Sequence, residues 1–248
     1  MSFIQTAYQP QGRVTDVIAG EGILQYEQEL LRLGVKTLKT AFNHRFSTTL
    51  GSHSDLFINY LGNGKILLDF SQSVIEEELR SLGLKTELIS ESVTQDYPND
   101  CLLNCVVENG RFIGRYDTAC IRIKDYAEKH SFKIINTHQG YAKCSLLTVT
   151  DNAYITDDVS VYKALKNSGS DVLLVEKGSV GLKGFNYGFI GGCSGKISYD
   201  TVAFCGEIKK HKSFDNIKAF CNNYNINLLS LGSEELEDIG SIIPVCEE

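Results

Sequence analysis

The sequence predicts an α/β fold in which five hairpin–helix–strand repeats form a ring with five-fold pseudo-symmetry. Three observations predict it. The segment 27–37, Glu-Gln-Glu-Leu-Leu-Arg-Leu-Gly-Val-Lys-Thr, returns at 76–86 as Glu-Glu-Glu-Leu-Arg-Ser-Leu-Gly-Leu-Lys-Thr, an offset of 49 from Gly34 to Gly83. Self-similarity at such a period marks a repeated supersecondary unit. The order of two apolar runs around a turn, an amphipathic helix and a further apolar run then recurs down the chain. Lastly, only one apolar run (14–19) precedes the first helix, and the chain finishes on another (242–245) with no helix after it. Pairing the last run with the first supplies the missing half-hairpin and leaves no repeat with an unpaired edge. On this basis the whole chain, 1–248, reads as one domain.

The elements follow in order. In the first repeat the strand 14–19 leads to a helix around 27–33. In the second, apolar runs at 56–61 and 65–69 flank Gly62-Asn63-Gly64, a hairpin signal. Ser73, with Glu76 three residues on, has the form of a capping box, and Ile75, Leu79 and Leu82 recur at helical spacing. Gly83 ends that helix, where a residue without a β-carbon turns left-handed easily, and 84–89 is the strand. The third repeat has runs at 102–107 and 111–115 about Asn109-Gly110, a helix over 118–129 and a strand at 132–135. The fourth has 145–149, a turn at Asp151-Asn152, 153–156, a helix over 159–167 and a strand at 172–175. In the fifth the hairpin turns near Tyr199-Asp200. Ser213 opens a helix with Ile217, Phe220, Cys221 and Tyr224 on one face, and 226–229 is the strand.

Charge and composition exclude several partners. With 24 basic against 31 acidic residues the net charge is −7, which argues against nucleic acid as the partner. No apolar stretch approaches the ~20 residues of a membrane span, and the opening Met-Ser-Phe-Ile-Gln is no signal peptide, so a cytoplasmic protein without a membrane partner is expected. Eight cysteines in such a chain point to a reducing compartment. None lies in a Cys-x-x-Cys pair and no paired histidine spacing accompanies them, so no metal site is expected. Most stand among aliphatic residues, where a thiol serves as a small buried apolar group. No motif calls for a cofactor, and the composition leaves the oligomeric state open.

In a ring of this kind the loops at 39–54, 90–100, 136–142, 176–187 and 232–240 enter from one end and frame an axial pocket for a small molecule. The first loop offers His53 and Asp55 as ligand-binding candidates, with turn capping as the alternative role for Asp55. The second offers Asn99 and Asp100, although Tyr-Pro-Asn-Asp is also ordinary turn chemistry. In the third, 136–145 gathers His138, Gln139, Lys143 and Cys144. A Cys–His pair beside a carboxylate is a nucleophilic constellation, whereas a structural His138 and a core-facing Cys144 are the competing readings. The fourth is the glycine-dense stretch 184–192, which adds Asn186. It lacks the strand–helix G-x-G-x-x-G context and any Gly-Lys-Ser/Thr, so close backbone packing or loop mobility accounts for its glycines.

A closed ring of five such units resembles the pentein fold, the α/β propeller of the guanidino-group-modifying enzymes: arginine deiminase, the amidinotransferases and dimethylarginine dimethylaminohydrolase. The segments Tyr-Pro-Asn-Asp-Cys-Leu-Leu-Asn (97–104), Gln-Gly-Tyr-Ala-Lys-Cys-Ser (139–145), Tyr-Gly-Phe-Ile-Gly-Gly (187–192) and Asp-Ile-Gly-Ser-Ile-Ile-Pro (238–244) resemble a clostridial-type family of uncharacterised pentein-like proteins. The enzymes of the fold use a histidine at the third-loop strand entry, a cysteine near the C-terminus and carboxylates that hold the guanidinium. Laid on this chain, the resemblance puts Gln139 at the histidine position with His138 one residue away. It puts Pro244 at the cysteine position with Cys246 two residues beyond. Two readings follow. One is a pentein-fold protein that binds a small, cationic, guanidine-like ligand and has lost the covalent pair. The other is an amidinotransferase-, deiminase- or dimethylaminohydrolase-like enzyme. In it Cys246 attacks the central carbon, His138 moves protons and Asp55 or Asp100 pairs with the cation.

Overall fold

Turn chemistry sets the hairpins. Asn63 and Gly64 take left-handed backbone (φ 51° and 71°), and so do Asn109 and Gly110 (46° and 69°). This is the conformation that joins two strands without splaying them. The computed structural model describes residues 2–47 and 49–248. In it Ile58–Gly62 pairs antiparallel with Lys65–Leu68, Val106–Glu108 with Arg111–Gly114, Leu146–Thr150 with Ala153–Thr156, and Ser194–Ser198 with Thr201–Phe204. After each hairpin a helix crosses over and a third strand returns parallel to the second. These returns are Lys85–Leu88, Lys133–Asn136, Asp171–Leu174 and Asn227–Ser230. A parallel return needs a crossover of this length, and the helix supplies it.

The remaining sheet joins the two ends of the chain. Val14–Ala19 pairs parallel with Lys36–Lys39 and antiparallel with Ile243–Glu247, while Ser2–Phe3 pairs with the other edge of Ile243–Glu247. The half-hairpin missing from the first repeat is therefore supplied by the last strand. The first strand of every hairpin is buried almost throughout and the returning strand is more exposed. Each helix lays one apolar line on the sheets, with Leu30, Leu79, Ile123, Leu165 and Ile217 fully buried. All eight cysteines are free and buried, as expected of small apolar groups.

Three local expectations are corrected by tertiary contacts. In the second repeat, Phe70–Ile75 winds as a 3-10 turn ahead of Glu76–Ser81, and the cap is Asp69 rather than Ser73. Asp69 accepts from the amides of Ser71 (2.9 Å) and Val93 (3.0 Å), a two-sided role that Ser73 cannot fill. Ser213 stands before the helix Phe214–Asn222 without capping it, because its hydroxyl accepts from the Glu176 amide at 3.0 Å. Residues 56–57 belong to a short helix, Ser54–Phe57, whose Asp55 amide is drawn to the carbonyl of Gly240. One pairing was not foreseen. Val180–Gly181 runs parallel to Leu236–Glu237 and ties the fourth loop to the fifth.

Candidate functional site

The last-mentioned loops and the short helix Ser54–Phe57 meet at one point. Ser54 donates to the Gly240 carbonyl at 2.6 Å, and Asp238 accepts from the amides of Phe189 (2.9 Å) and Gly240 (3.1 Å). Glycine is required here. Gly240 has left-handed backbone (φ 81°), and a Cβ on it would overlap the backbone of His53; a Cβ on Gly192 would overlap the Asp238 carboxylate. The glycine-dense stretch thus serves close packing, as its composition suggested.

At this junction lies a buried polar cluster. The Cys144 thiol donates to Asp55 Oδ2 at 3.1 Å, and the Ser241 hydroxyl donates to the same oxygen at 2.6 Å. Asn104 clamps the cysteine: its Oδ1 accepts from the amides of Lys143 (2.9 Å) and Cys144 (3.2 Å), and its Nδ2 donates to Cys144 Sγ at 3.0 Å. Lys143 Nζ donates to Ser241 Oγ at 2.9 Å and lies over the Tyr8 ring, so it is tied to Asp55 through one hydroxyl. His53 Nδ1 faces Asp238 Oδ1 at 3.7 Å. One ligand atom each from His53, Asp55 and Cys144 lies within 4.8 Å of the others, a set able to hold a metal ion. Among the described residues, His53 Nδ1 and Asp55 Oδ1 are buried without a hydrogen-bond partner.

Burial dominates the electrostatics. It pushes the Cys144 thiol well above its ordinary value, and the charges of Asp55 and Asp238 push it further. Asp238 is likewise raised by burial, against the opposing pull of His53. Lys143 is lowered by burial, with Asp55 opposing. At rest, then, the site holds a protonated thiol beside two acidic side chains, of which Asp55 has one oxygen without a donor.

A cavity of about 280 Å³ opens onto this cluster, lined at its base by His53, Cys144 and Asp238 and above by aliphatic and aromatic side chains. Four of the five predicted loops reach its wall, and the second reaches it indirectly, Asp100 accepting from the hydroxyl of the wall residue Tyr141.

The structure separates the residues that the sequence nominated. His53 and Asn186 line the cavity, and Asp55 and Lys143 lie behind its base. Asp100 is buried behind Tyr141. Asn99 is exposed, and the Gln139 side chain is spent on Asp158 at 3.0 Å. His138 and Cys246, paired by the resemblance, are not brought together. His138 is exposed in a separate depression with Arg115, Tyr116 and Asp117, because Thr137 beside it faces inward and the chain alternates. Cys246 is fully buried in Ile243–Glu247, opposite Asp16 and Phe3, and burial pushes its thiol up to about 11. Sequence reasoning missed Asp238, Asn104 and Ser241. The signal was present in the segments 97–104 and 238–244, but nothing local says that they meet.

Residues 18–243 match the family described as "Family of unknown function (DUF6873)". No curated protein matches the sequence. Among solved structures, the chain is similar to an amidinotransferase of the saxitoxin biosynthetic pathway from Microseira wollei, at 11% identity and TM-score 0.58, covering 91% of each chain. It is similar to the inosamine-phosphate amidinotransferase of Streptomyces griseus, at 8% identity and TM-score 0.58, covering 100% of this chain and 97% of that one. A third is DDAH from Pseudomonas aeruginosa, a cysteine-to-serine mutant complexed with citrulline, at 12% identity and TM-score 0.52, covering 89% and 93%. At these identities the likeness is one of fold.

Proposed function

The chain belongs to the DUF6873 family and is built on the pentein fold; from that premise we propose that it is an enzyme acting on a guanidine or amidine through Cys144. The single observation that carries this reading is the cluster of Cys144, His53 and Asp55 within 4.8 Å at the base of a cavity. The nucleophile is then on the third loop and the histidine on the first, not the His138–Cys246 pair. Fold alone assigns no chemistry, so the case rests on this geometry.

The chemistry follows from the charges. An amidinium entering the cavity pairs with Asp238 at its base, with the half-satisfied Asp55 just behind; these two carboxyl groups add to the burial that holds the thiol protonated. Neutralising them lowers the cost of a thiolate, so the ligand itself activates the nucleophile. Cys144 Sγ bonds to the central carbon as its proton passes to its acceptor Asp55 and on to His53, which faces Asp238 at 3.7 Å. The bond from that carbon to one nitrogen breaks, and this nitrogen takes the proton and leaves as an amine. Water, or an acceptor amine, then displaces the sulfur and returns the thiol.

The test is labelling of the native protein with a haloacetamidine, an amidine that alkylates a thiol held beside carboxylates. Modification of Cys144 alone among the eight cysteines, lost in Cys144→Ser and slowed in His53→Ala, is the expected result. Labelling spread over several cysteines, or absent from Cys144, overturns the reading.

A second reading is favoured by the two orphaned atoms. A ring nitrogen of His53, a carboxylate oxygen of Asp55 and Cys144 Sγ form a nitrogen–oxygen–sulfur donor set suited to zinc, and three protein ligands beside a cavity is the pattern of catalytic rather than structural zinc. One equivalent of zinc retained by the wild-type protein and lost in His53→Ala would replace the nucleophile reading with this one.

A further inference from the structure

Above the charged base the cavity is apolar. Tyr141, Phe189 and Tyr187 form a continuous aromatic wall, with ring centroids 6.3 Å apart for Tyr141–Phe189 and 5.7 Å for the edge-on pair Tyr187–Phe189. Leu50, Leu182 and Phe185 close the other side. Phe185 and Tyr187 are 44% and 38% exposed, a high exposure for large apolar groups placed together at a cavity mouth.

Among the described residues, no lysine or arginine side chain lines this cavity. Two cations beside it, Lys143 and Lys177, are already engaged, and Lys183, exposed between the lining residues Leu182 and Phe185, does not line it. Lys143 is enclosed behind the base, bonded to Ser241 and set over Tyr8. Lys177 stands against the Tyr187 ring at 5.5 Å and pairs with Asp158 at 3.6 Å. A ligand carboxylate brought into this space would lose its water, find no cation and face Asp238. An apolar substituent would instead cover the aromatic wall, and a cationic head passing the mouth would meet ring faces that attract it.

We infer that the substrate is a guanidine or amidine bearing an aryl or alkyl group and no carboxylate, so that free arginine, whose carboxylate finds no cation in the cavity, is disfavoured. This rests on the reading of the site given above. At about 280 Å³ the cavity falls just below the roughly 300–1,000 Å³ of ligand pockets, which suits a small ligand.

The experiment measures how benzylguanidine, butylguanidine and arginine bind Cys144→Ala by calorimetry, and how each protects the wild-type protein from haloacetamidine labelling. The two carboxylate-free compounds are expected to bind and protect at concentrations at least roughly tenfold below arginine, a difference of about 1.4 kcal/mol or more. A cation at the mouth, introduced as Phe185→Arg, is expected to narrow that gap by improving arginine. Arginine binding as well as benzylguanidine overturns the inference and leaves the guanidine reading standing. If none of the three binds or protects while Cys144 still labels selectively, the inference fails but the cysteine nucleophile survives. Failure of binding, protection and labelling together removes both.

Discussion

Glu108 shows how far a single buried residue can be pushed by its surroundings. It sits in Val106–Glu108, 1% exposed; its Oε1 accepts from the Tyr154 hydroxyl at 2.7 Å and its Oε2 has no partner among the described residues. Burial, opposed by Tyr154 and Arg111, raises its carboxyl from 4.5 to about 7. Between these values the folded protein holds a proton that the unfolded chain has released, so stability falls as pH rises through that window and levels off above it. Glu108→Gln keeps an acceptor for Tyr154 and removes the titration. Its stability relative to wild type is expected to improve by on the order of 2–3 kcal/mol from pH 4.5 to pH 8, read by urea denaturation at a series of pH values. A constant difference across that range would contradict the assignment. The Cys144 thiol is also raised by burial, and under the proposed function a ligand cation would oppose that shift.

At the scale of elements, the site depends on how loop 238–241 sits against the helix Ser54–Phe57. Gly240 is the contact point, with left-handed backbone and no room for a side chain between it and His53. Gly240→Ala is expected to lose about 1–2 kcal/mol from backbone conformation alone, and more from the displaced His53. Because a shift of about 1 Å in reacting groups costs roughly 10²-fold in rate, labelling at Cys144 should slow by about that factor while the protein remains folded. Thermal unfolding and labelling kinetics on one sample separate the two effects. The helix Val159–Asn167 is a control. Its cap, Asp158, accepts from the Ser160 amide at 2.7 Å and the Val161 amide at 3.0 Å, outside the reactive cluster. Asp158→Ala should cost about 1 kcal/mol, the usual worth of a cap, with much less effect on Cys144.

For the whole molecule, the decisive contact is between the chain's two ends. Ser2 faces Glu247 in register, and the Arg13 amide donates to the Glu248 carbonyl at 3.1 Å. Joining the ends through a short linker and reopening the chain at the exposed Asp151-Asn152 turn should give a circular permutant that folds and still labels at Cys144. Deleting 243–248 should instead abolish cooperative unfolding. It strips the partner from Val14–Ala19 and removes Ile243, Val245 and Cys246 from the core. Circular dichroism melts of the two proteins make the comparison. A deletion variant that melts like wild type would show that the terminal pairing contributes little.

The sequence by itself determined the repeats: their number, the helix over 159–167, the turns at Asn63-Gly64 and Asn109-Gly110, the left-handed exits at Gly34 and Gly83 and the pairing of first and last strands. These are carried by periodicity and turn chemistry within a short window, or by the need to satisfy an edge. It also brought His53, Asp55 and Cys144 into view, the last two beside an ordinary structural role. Only the tertiary structure decided which of them lie together. Cys144 and Asp55 are 89 residues apart in the chain, and Ser241 and Asp55 are 186 apart. No local pattern reports a distance between segments so far apart in the chain. The same limit explains His138 and Cys246: a strand turns alternate residues to opposite faces, so nearness in sequence to a motif position does not place a side chain in the cavity.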